Sequence, residues 1–254
     1  ANRPQLVEKL PRSNPDAVVL DLEDAVPPAE KAASRAMARD GARTLLALDN
    51  GPAVIIRVNA PSTEWFDADI AEAAIPGLAA IIVPKLETTD EAERAARTLD
   101  AAGCRDVGIL AGIETVRGVL DARTVLASSR IVACYFGAED FTVDAGGVRR
   151  DDNFEVQFPR AQVALAARLA GIPAIDIVVA AFNDNERLER EAAEARSLGY
   201  AGKLCIHPAQ VPLANAAFSP SEEEIDRARR LLAAYDAAVA EGRAAIAFEG
   251  QMVD

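Results

Sequence analysis

The chain has 254 residues, half of them apolar (50%), enough to bury one large core, and its 40 acidic residues against 27 basic ones give a formal net charge of -13. A field of that sign repels nucleic acid and anionic membrane surfaces, so neither is expected as a partner, and an anionic substrate needs a metal or placed cations to draw it in. Cys104, Cys134 and Cys205 lack a CxxC spacing, no run approaches the roughly 18 apolar residues of a membrane span, and the N-terminus has no signal-peptide layout, so a cytoplasmic protein with reduced thiols is expected.

Short β-branched runs alternate with Ala/Glu/Arg-rich stretches of helical character. The first run, 17–22 (AVVLDL), leads to a helical stretch at 28–47, and 53–58 (AVIIRV) leads to one at 67–75. Runs at 79–84 (AAIIVP) and 107–112 (VGILAG) are followed by helical stretches at 89–102 and 116–127. After 131–136 (IVACYF) comes the longest polar interruption, 142–158, predicted as a loop over the barrel mouth, and then a helix at 159–170. Runs at 174–181 (AIDIVVAA) and 203–206 (KLCI), with helices at 185–198 and 221–241, complete the series. This alternation is the signature of βα units around a parallel sheet, and no Pro/Gly/Ser-rich linker divides it. The expected fold is α/β, a (β/α)8 TIM barrel over 1–241, in preference to an open doubly wound sheet. Seven runs are one short of closure, so the first strand is expected upstream of Ala1. The apolar tail 242–254 is expected to be a C-terminal lid segment, docked on its own barrel or on a neighbouring subunit.

In such a barrel the C-terminal strand ends build the active site, so polar residues just after each run are the candidates. They are Asp21, Glu23 and Asp24 after the first run, Arg57 and Asn59 after the second, Lys85 and Glu87 after the third, Glu114 after the fourth, Glu139 and Asp140 after the fifth, and His207 after the last. Each alone could be an ion pair or a helix cap, but together on one rim they repel unless a metal or substrate offsets the charge. Glu114 and Asp140 emerge from consecutive strands with no His or Cys beside them, a donor set that suits Mg2+ or Mn2+. A single histidine rules out a three-histidine zinc site and, with no GxSxG elbow, weakens a Ser-His-Asp hydrolase. The backbone amides of Gly137, Ala138, Glu139 and Asp140 could take a substrate carboxylate beside the metal. Arg57 is the cation suited to a keto-acid oxygen and a developing enolate, the alternative being an ion pair with Asp21, Glu23 and Asp24. Lys85 raises a Schiff-base mechanism, disfavoured because the acidic rim would keep it protonated, and His207 is read as a hydrogen-bonding residue of the rim.

Several strings carry a family resemblance: NRP at 2–4, VLDLEDAV with a following Lys31, RVNA at 57–60, VPK at 83–85, GIETVRG at 112–118, GAEDF at 137–141, Asp176 in AIDIV, GKLCIHPAQV at 202–211 and FEGQMVD at 248–254. With them the chain resembles the citrate lyase beta-subunit-like branch of the superfamily that holds malyl-CoA lyases and class II pyruvate aldolases. The resemblance implies a barrel assembled as a trimer or hexamer, with Mg2+ held by Glu114 and Asp140. It also implies a 2-oxo acid (oxaloacetate, pyruvate or glyoxylate) contacted by Arg57 and the Gly137–Asp140 amides, and an acyl thioester on coenzyme A or an acyl carrier protein as the second substrate. The reaction is then reversible cleavage of a citryl-, malyl- or citramalyl-thioester through the thioester enolate. An acid/base aspartate on a lid from the adjacent subunit matches Asp254 here. Because the matching motifs continue past Arg3 and Asp254, further residues are expected beyond both ends. Asp21, Glu23, Asp24 and Lys85 are counted with the substrate-binding set, and Arg3 and Arg117 are candidates for a CoA phosphate, ahead of Arg149 and Arg150. Alternatives within reach of the same residues are an aldolase of free hydroxy-keto acids, a thioesterase, and a subunit active only inside a citrate lyase complex.

Overall fold

The computed structural model describes residues 3–254, so Ala1 and Asn2 of the NRP string lie outside the described residues. After a short helix α1 (Pro4–Val7) the chain runs β1 (Ala17–Asp21), α2 (Lys31–Leu46), β2 (Ala53–Arg57), α3 (Phe66–Ala73), β3 (Ala80–Val83), α4 (Thr89–Ala101), β4 (Gly108–Ile113) and α5 (Val116–Val125). It continues with β5 (Ile131–Phe136), α6 (Ala138–Asp144), α7 (Gln157–Ala170), β6 (Ala174–Asp176), α8 (Asn185–Leu198) and β7 (Gly202–Lys203). Helices α9 (Gln210–Phe218) and α10 (Glu222–Ala240) lead to a hairpin of β8 (Ile246–Phe248) and β9 (Gln251–Val253).

The strands β1 to β7 form one sheet in sequential order, every neighbouring pair parallel. A strand beside its predecessor, with a helix in between, is the repeat of a barrel wall, and the expected α/β barrel class is borne out. Among the described residues the sheet has seven strands, with β1 and β7 at its edges.

Side-chain alternation sorts the wall into two faces. Val18, Leu20, Val54, Ile56, Ile81, Val83, Ile109, Ala111 and Ile113 pack with the helices in a core that reaches from Val7 to Tyr200. The opposite parity, Ile55, Ala80, Ile82, Leu110 and Tyr135, forms a separate inner cluster bordered by Ala133, Ile175 and Leu204. Continued to the strand ends, this inner parity brings Asp21, Arg57 and Glu114 out on the same side of the wall.

Local sequence ends the elements. Thr115 caps α5 by accepting from the Gly118 amide, Thr88 and Glu91 form a capping box on α4, and Gly171 and Gly199 close α7 and α8 at positive φ. The structure departs from the sequence reading in helices α6 and α9 and in the last two strands of the sheet. Helix α6 takes the first residues of the stretch 142–158 predicted as loop, and α9 was not foreseen. The runs 174–181 and 203–206 shorten to the three residues of β6 and the two of β7. The tail folds as an antiparallel hairpin whose Glu249 meets Arg227 at 2.7 Å and Arg230 at 3.0 Å on α10. No described helix is long and apolar enough to cross a membrane.

Candidate active site

Glu114 stands between the last residue of β4 and Thr115, the cap of α5, so its backbone is fixed on both sides. Its side chain is buried, 3% exposed. Glycines make room for it: a Cβ on Gly137 would lie 2.6 Å from Glu114 Cγ, and one on Gly112 would lie 2.9 Å from its Oε1. Tyr135, from the inner face of β5, donates its hydroxyl to Oε1, while Oε2 is buried and accepts no hydrogen bond. Burial raises the pKa of Glu114 and outweighs the Tyr135 hydrogen bond and the charge of Lys85, which favour the carboxylate.

A buried carboxylate oxygen without a hydrogen bond needs a cation nearby. Lys85 is one such cation. Its Nζ lies 3.5 Å from Glu114 Oε2 and 3.3 Å from Asp140 Oδ2, and donates to Glu23 Oε1 at 2.8 Å. The residue sits at φ 51, a left-handed conformation that strains a side chain with a Cβ and gathers at functional sites. Burial opposes the ammonium charge, but the Glu23 hydrogen bond and the charges of Glu114, Glu23 and Asp140 prevail and raise its pKa. A firmly protonated amine is a poor Schiff-base nucleophile.

Arg57, at the end of β2, takes the ion-pair alternative. Its Nε and Nη2 donate to the Asp21 carboxylate at 2.7 and 2.6 Å, and Nη1 lies 2.9 Å from Glu23 Oε2 and 3.8 Å from Asp24. The bidentate fork fixes the guanidinium plane at the rim. Burial works against the Asp21 charge, yet Arg57 and the amides of Glu23 and Ala25 overcome it and lower its pKa. Glu23 goes the other way: burial outweighs Arg57 and Lys85 and pushes it up to about 7.

Asp140 lies in the first turn of α6 and, with its side chain 45% exposed, faces Glu114 across Lys85. The expected set of four amides needs a correction: Gly137 N donates to Ile113 O at 3.0 Å, so the β4–β5 junction already uses it. Ala138, Glu139 and Asp140 open α6, where a helix leaves its first N–H groups without internal acceptors, and no side chain caps them. The Glu139 carboxylate pairs with Arg149 at 3.0 Å, away from Lys85 and Glu114. Arg149 also donates to Glu155 and to Asn153, Arg150 pairs with Asp152, and Arg117 lies 3.9 Å from Glu87.

Among the described residues no hydrogen bond or ion pair joins Arg3 or Asp254 to this cluster; Arg3 precedes α1, Asp254 follows β9, and both are exposed. His207 is also apart from it, its Nδ1 accepting from Ala209 N at 3.2 Å and its ring stacked on Phe182 at 5.0 Å. Sequence reasoning missed Tyr135, although its inner-facing place in IVACYF, one residue before the strand end, marked it. It also quoted Lys31 without giving it a role; the Lys31 ammonium donates to the carbonyl oxygens of Leu22 and Glu23.

No group of three or more His, Cys, Asp or Glu among the described residues forms a closed metal cage. Two carboxylates, one with a buried oxygen that accepts no hydrogen bond, still fit Mg2+, an ion that binds through one or two carboxylates and fills its other positions with water and substrate oxygens. Fold and rim together define an α/β-barrel protein with an open cluster of carboxylates and two cations at the strand ends. The chain matches the HpcH/HpaI aldolase/citrate lyase family model over residues 1–208, and it belongs to that family. It is 51% identical to the citrate lyase subunit beta-like protein of Deinococcus radiodurans, across 100% of this chain and 89% of that protein. It is 35% identical to a (3S)-malyl-CoA thioesterase of Cereibacter sphaeroides, across 100% of this chain and 86% of that one. Among solved structures it is similar to the protein CitE of Mycobacterium tuberculosis in complex with magnesium, acetoacetate and coenzyme A, with TM-score 0.84, 34% identity and coverage of 100% and 89% of the two chains.

Proposed function

We propose that the chain is a Mg2+-dependent carbon–carbon lyase that cleaves or forms a hydroxy-acyl thioester such as citryl-, malyl- or citramalyl-CoA, giving a 2-oxo acid (oxaloacetate, glyoxylate or pyruvate) and an acetyl thioester. The observation that carries this reading is the buried Glu114 oxygen that accepts no hydrogen bond, facing Asp140 across Lys85. Magnesium and coenzyme A in the complex of the M. tuberculosis relative support the cofactor and the thioester. Glu114 and Asp140 would hold the ion, which when bound supplies a Lewis acid that polarises the oxo-acid oxygens.

The remaining work falls to the chain's own side chains. Arg57, fixed by Asp21, and Lys85, fixed by Glu23, set two positive charges at the rim that orient the oxo acid and favour negative charge as the enolate develops. The amides of Ala138, Glu139 and Asp140 orient the oxo-acid carboxylate, Asp24 borders the same mouth, and Arg3 meets a CoA phosphate. In the cleavage direction the substrate hydroxyl gives its proton to the Asp254 carboxylate, the carbon–carbon bond breaks with its electron pair passing into the thioester enolate, and the enolate takes that proton at carbon. Asp254 is the residue we assign to move that proton, carried on the lid 242–254 to the barrel 1–241 of a neighbouring subunit in a homotrimer or hexamer, and an acyl carrier protein can present the thioester in place of CoA.

The thioesterase relative favours a second reading, hydrolysis of the acyl-CoA product at the same site. Purified protein with Mg2+ and each of the three CoA thioesters separates the two: oxo acid without free thiol marks the lyase, and free thiol released with a free acid marks the thioesterase. Unchanged turnover in a Glu114→Ala variant would sink both.

A further inference from the structure

We infer that Lys31 is a positioning residue for the rim: from the first turn of α2 it locks the β1–α2 turn so that the Glu23 carboxylate meets Lys85 and Arg57. Lys31 is buried, 5% exposed, and its ammonium donates to the carbonyl oxygens of Leu22 at 2.8 Å and Glu23 at 2.7 Å. Its remaining side faces the Trp65 ring, 5.3 Å from the centroid. Among the described residues no side-chain carboxylate accepts from it, so its hydrogen bonds go to the main-chain carbonyls on either side of the Glu23 Cα, the unit that carries the Glu23 side chain.

Everything else in that turn converges on the same unit. The Glu23 amide donates to Asp21 Oδ1 at 2.9 Å, the Glu23 carbonyl also accepts from Val26 N at 2.9 Å, and the Leu22 carbonyl also accepts from Asn59 Nδ2 at 3.0 Å. Asn59 is in turn held by Asp69, which also takes Arg35 at 2.8 Å. With the backbone held at both carbonyls, the Glu23 side chain has one oxygen on Lys85 at 2.8 Å and the other 2.9 Å from Arg57. An apolar residue would fill the same space beside Trp65, but it would take one of two donors from each carbonyl, leaving Leu22 O to Asn59 and Glu23 O to Val26, and so loosen the turn. Lys31 therefore acts on the rim through Glu23, one residue removed from any reacting group.

The lysine set makes this testable without a turnover assay. The chain has four lysines, Lys9, Lys31, Lys85 and Lys203. Lys9 is exposed, the Lys85 side chain is 29% exposed and ion-paired, and the Lys203 side chain is 0% exposed. In reductive methylation followed by peptide mass spectrometry, Lys31→Met is expected to speed labelling of Lys85 about tenfold, the ratio that goes with loss of one hydrogen bond to a charged group, and to leave Lys9 and Lys203 at their wild-type rates. Glu23→Gln sets the upper limit for Lys85. Lys31→Gln, which keeps an N–H donor on a shorter side chain, serves if Lys31→Met does not fold, and is expected to give the same selective rise at smaller size. A wild-type labelling rate at Lys85 in a folded variant overturns the proposal, and so does a rise at Lys203 equal to that at Lys85, since it would report general loosening. The catalytic consequence rests on the function proposed above: kcat falls in Lys31→Met with KM little changed. A wild-type protein without lyase activity would defeat that function and leave the labelling result standing.

Discussion

Gly137→Ala tests the geometry of the site with a single methyl group. The residue has φ -103 and ψ 92, a conformation alanine tolerates, so backbone strain is absent and the whole effect is steric. The new Cβ would lie 2.6 Å from Glu114 Cγ, 3.1 Å from Cδ and 3.2 Å from Cβ. Carbon atoms rest about 3.5–4.0 Å apart, so Glu114 must retreat by roughly 1 Å while Tyr135 holds its Oε1 on the other side. Overpacking of this kind costs about 1–3 kcal/mol, and the stiffer unfolded chain returns about 0.4–1 kcal/mol. At roughly 2–4 °C per kcal/mol the fall in Tm is then no more than about 10 °C. The loss at the site is larger, since a displacement of about 1 Å in a reacting constellation costs on the order of 100-fold. Titration with Mn2+ followed by electron paramagnetic resonance, alongside calorimetry, is expected to show ten- to hundredfold weaker binding in a folded protein. Gly171→Ala is the control: it has φ +74 and no atom within 4 Å of its added Cβ, so it loses stability and keeps Mn2+ affinity. Wild-type Mn2+ affinity in Gly137→Ala would refute the assignment of Glu114 as a ligand.

Tyr135→Phe removes the one hydrogen-bond donor to Glu114 Oε1 and is expected to weaken Mn2+ binding about 10- to 100-fold, as loss of a residue orienting a ligand does, with equal affinity by calorimetric titration the contrary result. Glu23→Gln is expected to change the pH dependence of stability. The folded-state value of Glu23 is raised from 4.5 to about 7, so its contribution is full below pH 4.5 and is lost as pH rises to 7, on the order of 3 kcal/mol at most. The Tm of the wild type relative to the variant should therefore fall across that window, and a flat difference would contradict the burial argument. Asp176→Asn strips the shared partner from Arg160 at 2.7 Å and Lys203 at 2.6 Å, all three side chains 0–1% exposed. Leaving buried charge uncompensated costs about 3–5 kcal/mol, read as a lower midpoint in urea unfolding.

The wall of the barrel was legible because its strands are short apolar runs, those at its centre buried on both faces, where side-chain parity and burial leave one solution. AIIV of β3 and GILAGI of β4 are buried at every position. The rim was legible for the same reason, since Asp21, Arg57 and Glu114 follow apolar runs at inner parity. Helix α6 was not legible because Gly137-Ala138-Glu139-Asp140 reads equally as an anion-binding loop or as a helix start with acidic residues in its first turn, and only packing decides. Helix α9 was hidden by Pro212, which is tolerated in a first turn where its missing N–H has no helical acceptor. The partnering of Arg57 was open from sequence, as any of three carboxylates or a substrate could take it, and the bidentate fork with Asp21 depends on the register that sets Asp21 opposite Arg57 in adjacent strands. Tyr135 is a phenol one residue deeper than the strand end and carries no charge, so the pattern of charged strand ends does not mark it.

The charges of the rim supply a last constraint on what it binds. Apart from Asp24, which lies 3.8 Å from Arg57 but is 67% exposed and screened by solvent, four carboxylates, Asp21, Glu23, Glu114 and Asp140, meet two cations, Arg57 and Lys85, within one connected set of contacts. Arg57 is committed to Asp21 and Glu23, so Lys85 alone stands between Glu23, Glu114 and Asp140, and full ionisation leaves a formal charge of -2. Burial raises the pKa values of Glu114 and Glu23, and the like charge of Asp140 and Glu114 respectively adds to it against the nearby cations. A monovalent ion would halve the surplus and a divalent ion would cancel it, letting both carboxylates ionise without leaving the wall of the barrel. A 2-oxo acid brings negative charge of its own, so the cation must carry at least two charges if substrate and carboxylates are to share the rim. That balance singles out a divalent ion over a monovalent one on charge alone, and the all-oxygen donor set narrows the choice to hard cations such as Mg2+.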